Sequence, residues 1–576
     1  MNSDNAVLSI SVDKGVENVV NQVTNCVNSE LIPSIANDYV PSVSPLTKCL
    51  PKWKIFLKND IDSEYILQGI EFGFRIINPG IIPESTLCRN YKSASEENKE
   101  ASELQVQMEI DLDRYIVTDH KPHMVSSLGA ILKSSGAVRL IHDLSRPEGG
   151  LNCLTTDTSV TYSTVDEAVK FIKPGSFLAK IDIKSAYRAV PIHPDCYGFT
   201  GLQWLFQGDI ETTYLYDCRL PFGASRSCRI FQALTNSIVR IMQSANINCI
   251  GYIDDFLIVS ESAVKCQLDL DYLLYVVQEL GFEVCWNKVE GPSSELCFLG
   301  VQINCINRTL ALPPAKLLEV KSLIKKWSLK HKATKKELQH LVGKLNWCSR
   351  VVFGGRTFLR NLINLMAKLK KASHHIRLSV AAKADILWWV KGLDLFHGTT
   401  RFHCDTPLPS HIFSTDACLV GGGGHFGNEW FHVNWSVDMP EVENQHINVL
   451  ELQTVLVAAE LWGSKWENQH VLVRSDNMAT VMALNKGSSR SIELLGIVQR
   501  LFWLSVQYGF RLTAAFIPGR LNTLSDLISR LHDNVSAIKA HEFLCVDACV
   551  GGSLECCGNM SQDTFMLLQG RWGEMM

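Results

Sequence analysis

No run of about 18 uncharged apolar residues occurs anywhere in the 576 residues, so no membrane-spanning helix is expected. Nothing at the N-terminus reads as a secretory leader. The 19 cysteines are scattered through apolar segments, among them Cys218, Cys228, Cys249, Cys285 and Cys297. The expectation is an intracellular chain, in cytoplasm or nucleus, with reduced thiols. No two cysteines have the C-x2-C spacing of a zinc knuckle. The terminal run "CVDACVGGSLECCGNM", with Cys545, Cys549, Cys556 and Cys557, therefore reads as a tail rather than a metal site. No self-similar period of solenoid length is present. The net charge of −4 does not by itself suggest a polyanionic partner.

What is present is an ordinary globular composition, 46% hydrophobic and 20% charged. The length suggests roughly four domains at about 150 residues each. The charge is unevenly spread: 316–377 holds 16 Lys and Arg against two acids, Glu319 and Glu337, whereas 96–113 holds seven acids. A local basic stretch can bind phosphates whatever the total charge.

Periodicity and turn signals divide the chain. Residues 1–45 read as a flexible N-terminus, 46–120 as an N-terminal extension, and 90–103 as a linker or exposed helix. "SLGAILKSSGAVRLIHDLS" (127–145) has a hairpin signature around "KSSG". "STVDEAVKFI" (163–172) starts like a capped helix, and "FLAKIDIKSAYRAVPI" (177–192) starts as a buried strand. Helical spacing covers 227–243 and 266–282, the second ending at Gly281. A basic helical segment spans 313–405, with Trp327 and Trp347 interleaved. An α/β pattern fills 408–532, and 533–576 is a C-terminal tail.

Two sets of acids carry chemistry. In "GYIDDFLIVS" (251–260), Asp254 and Asp255 sit at a bend inside an apolar strand–turn–strand. Adjacent like charges are costly unless a cation neutralises them. Asp182 ends the strand "LAKID". If strand and hairpin are sheet neighbours, the three carboxylates converge. Such a cluster suits two magnesium ions, with manganese as a substitute, in nucleotidyl transfer. The second set follows the order strand-end Asp416, helix Glu451, strand-end Asp476, helix Asp526. In "IFSTDACLVGGGGHFGNEWF" (412–431), Asp416 lies on a strand followed by a glycine turn and a second strand. The four acids suit two-metal phosphodiester hydrolysis.

These residues resemble a reverse transcriptase followed by a ribonuclease H. "KIDIKSAY", "LPFGASRSCRIFQ" (220–232), "YIDD", "GFEVCWNK" (281–288) and "CFLGVQI" (297–303) match five ordered polymerase motifs. The resemblance implies an α+β multidomain fold: right-hand polymerase fingers and palm over 121–312, thumb and connection over 313–405, and an α/β ribonuclease H-like domain over 408–532. It assigns metal binding to Asp182, Asp254, Asp255, Asp416, Glu451, Asp476 and Asp526. Lys133 and Arg139 correspond to the triphosphate clamp, and Tyr187 to the gate against a ribose 2′-hydroxyl. Gly223 corresponds to a close approach of backbone to template–primer and nucleotide, and Lys288 to a general acid for pyrophosphate. Asn522 also matches the nuclease pattern. The implied partners are an RNA template, a DNA primer, an RNA–DNA hybrid and dNTPs.

Departures are Cys228 where the second motif usually has proline, Val138 where an aromatic usually precedes the arginine, and "PGRLN", which lacks the histidine usual before the last acid. "EYILQGIEFGFRI", "VRLIHDLSRPEGGLN" and "AKIDIKSAYRAVPIHPD" are together similar to DIRS-type, tyrosine-recombinase retrotransposons, over residues 50–530. That similarity implies an element-encoded recombinase and a capsid-like protein as partners. No Asp-Thr-Gly or Asp-Ser-Gly protease triplet and no integrase pattern occurs, and with the recombinase encoded elsewhere the chain would be a separate reading frame or a fragment. The alternatives are a catalytically silent nucleic-acid-binding relic of a decayed or domesticated element, and a virus-like polymerase related to the pararetroviral ones.

Overall fold

The computed structural model describes residues 43–551 apart from 79, 81–83, 134–135, 147–149, 156–159 and 403–407, with side chains through residue 542. The N-terminus 1–42, and Cys556 and Cys557 of the tail, lie outside the described residues. The chain is a multidomain α+β protein. It forms two compact units that interleave in sequence: 63–158 and 187–230 belong to the first, and 159–186 and 231 onward belong to the second. Residues 121–312 are thus shared between them. Among the described residues no helix is long and apolar enough to cross a membrane.

The first unit holds the "KSSG" hairpin, Ser127–Leu132 paired antiparallel with Val138–Asp143. It also holds a five-stranded sheet whose edge strand Tyr115–Thr118 pairs with Thr213–Asp217. The acidic stretch is helical over Lys99–Asp111, and its inner face buries Val106 and Glu109. Glu109 is buried because it meets a cation: Arg188 Nε donates to Glu109 Oε2 at 3.0 Å, and Nη1 to Asp217 Oδ2 at 2.9 Å. The guanidinium also lies 5.3 Å from the centroid of the Tyr115 ring. Burial opposes its charge, but Asp217 and Glu109 outweigh burial and hold Arg188 protonated. Removing one member of such a network leaves uncompensated buried charge. Arg188→Leu is expected to destabilise the chain by ~3–5 kcal/mol in denaturant unfolding; a loss below ~1 kcal/mol would show that the network contributes little.

The second unit carries a palm sheet of four antiparallel strands, with Phe177–Asp182 between Glu290–Ser293 and Asp255–Ser260, and Asn248–Tyr252 at the edge. Strand Asp255–Ser260 is buried from Phe256 onward because helix Ala263–Glu279 packs beside it. The helix ends at Glu279, two residues before Gly281, which sits at φ +88°. The basic segment folds into helices Pro314–Ser328, Lys335–Cys348, Arg360–Ala367 and Val380–Leu395. Thr334 and Glu337 form a reciprocal capping box at the second of these. One apolar core runs from Leu178 and Leu257 through Leu341 and Trp389 to Phe502.

The last sheet has the order Glu429–Asn434, Gly421–Phe426, His411–Ala417, His470–Ser475, Arg511–Phe516. The first three strands are antiparallel and the last three parallel. Helix Ile447–Trp462 is apolar nearly all round, as a helix buried against a sheet must be. One expectation is corrected here. The run "GGGG" is not a turn: Gly421–Phe426 is a strand, and the turn falls before it. No side chain fits on it, since a Cβ at Gly422 would lie 2.5 Å from Thr454 Oγ1 and one at Gly423 2.5 Å from Ile528 Cγ2. Helix Asn534–Gly551 follows the sheet and includes Cys545 and Cys549, whose side chains lie beyond those described.

Candidate active sites

The palm strands put Asp182 opposite Asp255 in register. The hairpin turn before Asp255 comprises Ile253 and Asp254, and the Asp254 carbonyl accepts the Ile183 N–H at 2.9 Å. Ile253 adopts φ +54°, a left-handed conformation that a β-branched residue rarely takes and that costs ~1–3 kcal/mol. Helix Ser225–Ser244 holds it there. Gln232 Oε1 accepts the Ile253 N–H at 2.9 Å, and the Thr235 hydroxyl donates to its carbonyl. Gln232 stands inside the motif 220–232, yet nothing in its spacing points to this role; only the long-range packing reveals it.

The electrostatics of the palm are those of an acid cluster short of positive charge. Burial, then the charges of Asp254 and Asp182, push the Asp255 carboxyl up to about 6. Lys288 Nζ lies 2.6 Å from Asp182 Oδ2, and that hydrogen bond raises the lysine and keeps it protonated. Asp182 is nearly buried, and the Lys288 ammonium supplies part of the missing charge.

The remaining polymerase candidates lie in the first unit. Tyr187 is 7% exposed, stacks on Phe222 at 4.9 Å, and donates its hydroxyl to Cys228 Sγ at 3.1 Å. Arg139 is exposed, with its guanidinium 5.3 Å from the centroid of the same Phe222 ring. Val138, in the place of the usual aromatic, is a core residue. Lys133 is exposed at the hairpin end and forms no ion pair among the described residues. Gly223 has an internal reason to be glycine: φ is +134°, and a Cβ would sit 1.9 Å from the His142 carbonyl oxygen.

In the other sheet, Asp416, Glu451 and Asp476 each present a carboxylate oxygen within 4.8 Å of the others, the one such group of three among the described residues. Burial, then Asp476 and Asp526, hold Asp416 up at about 7, against a hydrogen bond from Ser529 Oγ at 2.8 Å. Burial, then Asp416 and Asp476, push Glu451 up to about 9. Glu451 Oε2 is buried with no hydrogen-bond partner. An orphaned carboxylate oxygen among two further acids is what a divalent cation satisfies, so these residues fit one. Asp526 stands apart from the three, paired with Arg530 Nε at 2.8 Å, but its charge bears on both Asp416 and Glu451. Asn522 is buried and donates to the Thr415 carbonyl at 2.9 Å. Arg520, in the loop that lacks histidine, is exposed, and His425 pairs with Ser525 Oγ at 3.1 Å.

Residues 139–303 match the family described as reverse transcriptase (RNA-dependent DNA polymerase). The chain therefore carries a reverse transcriptase domain, of the kind found in viral and retroelement Pol proteins. Among its relatives is the Pro-Pol polyprotein of feline foamy virus, 24% identical over 300 residues, or 52% of this chain and 23% of that protein. The Gag-Pol polyprotein of avian reticuloendotheliosis virus is 26% identical over 133 residues, or 23% of this chain. Protein P of heron hepatitis B virus is 22% identical over 244 residues, or 42% of this chain. The aligned stretches make up only 23%, 12% and 29% of the three relatives' lengths, in that order. Among solved structures, a foamy viral protease–reverse transcriptase in complex with double-stranded DNA is similar at TM-score 0.47 and 15% identity, covering 83% of this chain and 98% of that one. The same viral protein with an RNA/DNA hybrid gives TM-score 0.46 and 14% identity, covering 83% of this chain and 64% of that one.

Proposed function

We propose that the chain is an RNA-directed DNA polymerase of a retroelement that also cleaves the RNA strand of RNA–DNA hybrids. The observation that carries the polymerase reading is the pairing of Asp182 with Asp255, inside the stretch that matches the reverse transcriptase family. Asp182, Asp254 and Asp255 would hold metal at the first site; Asp416, Glu451 and Asp476, with Asp526 beside them, would hold it at the second. When bound, magnesium or manganese supplies Lewis-acid activation of the primer 3′-hydroxyl at the first site and of water at the second. Lys288 keeps a proton on Nζ beside Asp182, where it can serve the departing pyrophosphate. Tyr187 on Phe222 would bound the sugar of the incoming dNTP, and Lys133 and Arg139 its triphosphate.

The substrate duplex would be an RNA–DNA hybrid formed by the RNA template and the DNA primer, recognised through its backbone. Exposed Lys325, Lys326 and Lys336 of the basic helices, and Lys332 on the short strand between them, support this, because none is ion-paired among the described residues. The phrasing of residues 64–76, 138–152 and 179–195 supports a DIRS-type element, with its recombinase and capsid-like protein as partners.

Primer extension on an RNA template with dNTPs and magnesium tests the reading. Incorporation supports it; hybrid binding without incorporation would favour the silent relic, a reading the Lys288–Asp182 ion pair keeps in view. Gln232→Ala is expected to slow extension about tenfold by releasing the strained Ile253 turn, with the KM for dNTP changed less than kcat. Equal extension rates would show that the turn holds itself.

A further inference from the structure

The second unit contains a cavity of ≈ 380 Å³ that none of the candidate acids lines, within the size range that holds a small organic ligand. Its walls come from the loop after helix Lys335–Cys348, the end of helix Met478–Lys486, helix Ile492–Tyr508 and the start of strand Arg511–Phe516. That strand begins at the cavity and ends beside Ser475, next to Asp476. Five steps of ~3.3 Å separate Arg511, at the cavity, from Phe516, beside the nuclease acids, by about 16 Å.

The charge is one-sided. Arg350, Arg356, Lys486 and Arg511 line the cavity and no acidic residue does. All four are exposed, and none forms an ion pair among the described residues. Four cations around one hollow repel one another and attract an anion. The rest of the lining mixes hydroxyl and amide side chains, such as Thr357 and Asn485, with an apolar and aromatic wall. Phe353 is 45% exposed, packs on Phe502 at 5.3 Å, and stands at the same cavity with Leu484 and Leu501. A bare inorganic anion has no use for such a wall, whereas a nucleobase stacks on it.

We infer that this cavity binds a nucleotide unit, its phosphate on the arginine and lysine cations and its base on Phe353. The site is independent of the polymerase and nuclease reading. The unit would be either a free nucleotide or the phosphorylated end of a single strand.

Equilibrium dialysis of labelled AMP against the full chain in EDTA tests it. Saturable binding at one equivalent per chain is expected. Arg356→Ala combined with Arg511→Ala is expected to weaken it about tenfold or more, and Phe353→Ala about tenfold. Lys170→Ala with Lys173→Ala, exposed elsewhere in the same unit, should leave it unchanged. Melting temperatures of all variants report that the chain remains folded. Displacement of AMP by a 5′-phosphorylated oligothymidylate assigns the site to a strand end, and no displacement assigns it to a free nucleotide. Absence of saturable AMP binding, equal affinity in the cavity variants, or inorganic phosphate binding as tightly as AMP would overturn the proposal.

Discussion

Primer extension on an RNA template is expected to fall at least ~10³-fold when Asp254 and Asp255 both become Asn, the loss of about 4 kcal/mol of transition-state stabilisation. The substitution keeps the shape of the turn. The Ile253 N–H and carbonyl remain bonded to Gln232 and Thr235, and the strand pairing with Phe177–Asp182 uses backbone atoms only. What disappears is charge. Asp255 already sits at about 6 from burial and from Asp254 and Asp182, so relieving that repulsion makes the apo fold more stable, not less. A variant that is more stable yet inactive would separate a catalytic role from a structural one. Activity within tenfold of the parent would remove these carboxylates from the chemistry.

The second large effect belongs to Glu451. Glu451→Gln is expected to abolish hybrid cleavage, again by ~10³-fold or more, and to change the pH dependence of stability in a direction that can be worked out. Asp416 and Glu451 have ordinary values of 3.8 and 4.5, and the fold holds them at about 7 and about 9. The folded state therefore keeps protons that the unfolded chain releases. Stability from these groups is full below the ordinary values and is lost as pH rises through about 7 and about 9. Magnesium works the other way, because the carboxylates must shed those protons to bind it. In EDTA the second unit should thus melt lower at pH 9 than at pH 6, and magnesium should raise the melting temperature more at pH 9. Glu451→Gln should flatten both effects. A magnesium shift independent of pH, or retained in the variant, would contradict the metal assignment.

Much of both sites was legible in the sequence, since each acid sits at a strand end, in a turn or on a helix, and those local patterns read through without tertiary information. Asp182 and Asp255 needed only two strands to pair. The supports were not legible. Gln232 and Thr235 reach the Ile253 turn from a helix some twenty residues earlier, and no pattern specifies a hydrogen bond to a left-handed residue. Arg188 looks like one basic residue in an apolar run until it meets Glu109, 79 positions away. The glycines 421–424 read as a turn because glycine usually marks one; here they are forced by helix Thr523–Ser529 and Thr454 crowding the strand. The interleaving of the two units is likewise invisible in linear composition, because it depends on which strands pair across the 159–186 segment.

The central claim is that one chain carries two independent carboxylate centres. A single labelled RNA–DNA primer–template, incubated with magnesium and dNTPs and resolved for both primer extension and RNA cleavage, tests it most directly. The parent should give both products, Asp254→Asn with Asp255→Asn cleavage alone, and Asp476→Asn extension alone. Loss of both products in either variant, or of neither, would contradict it.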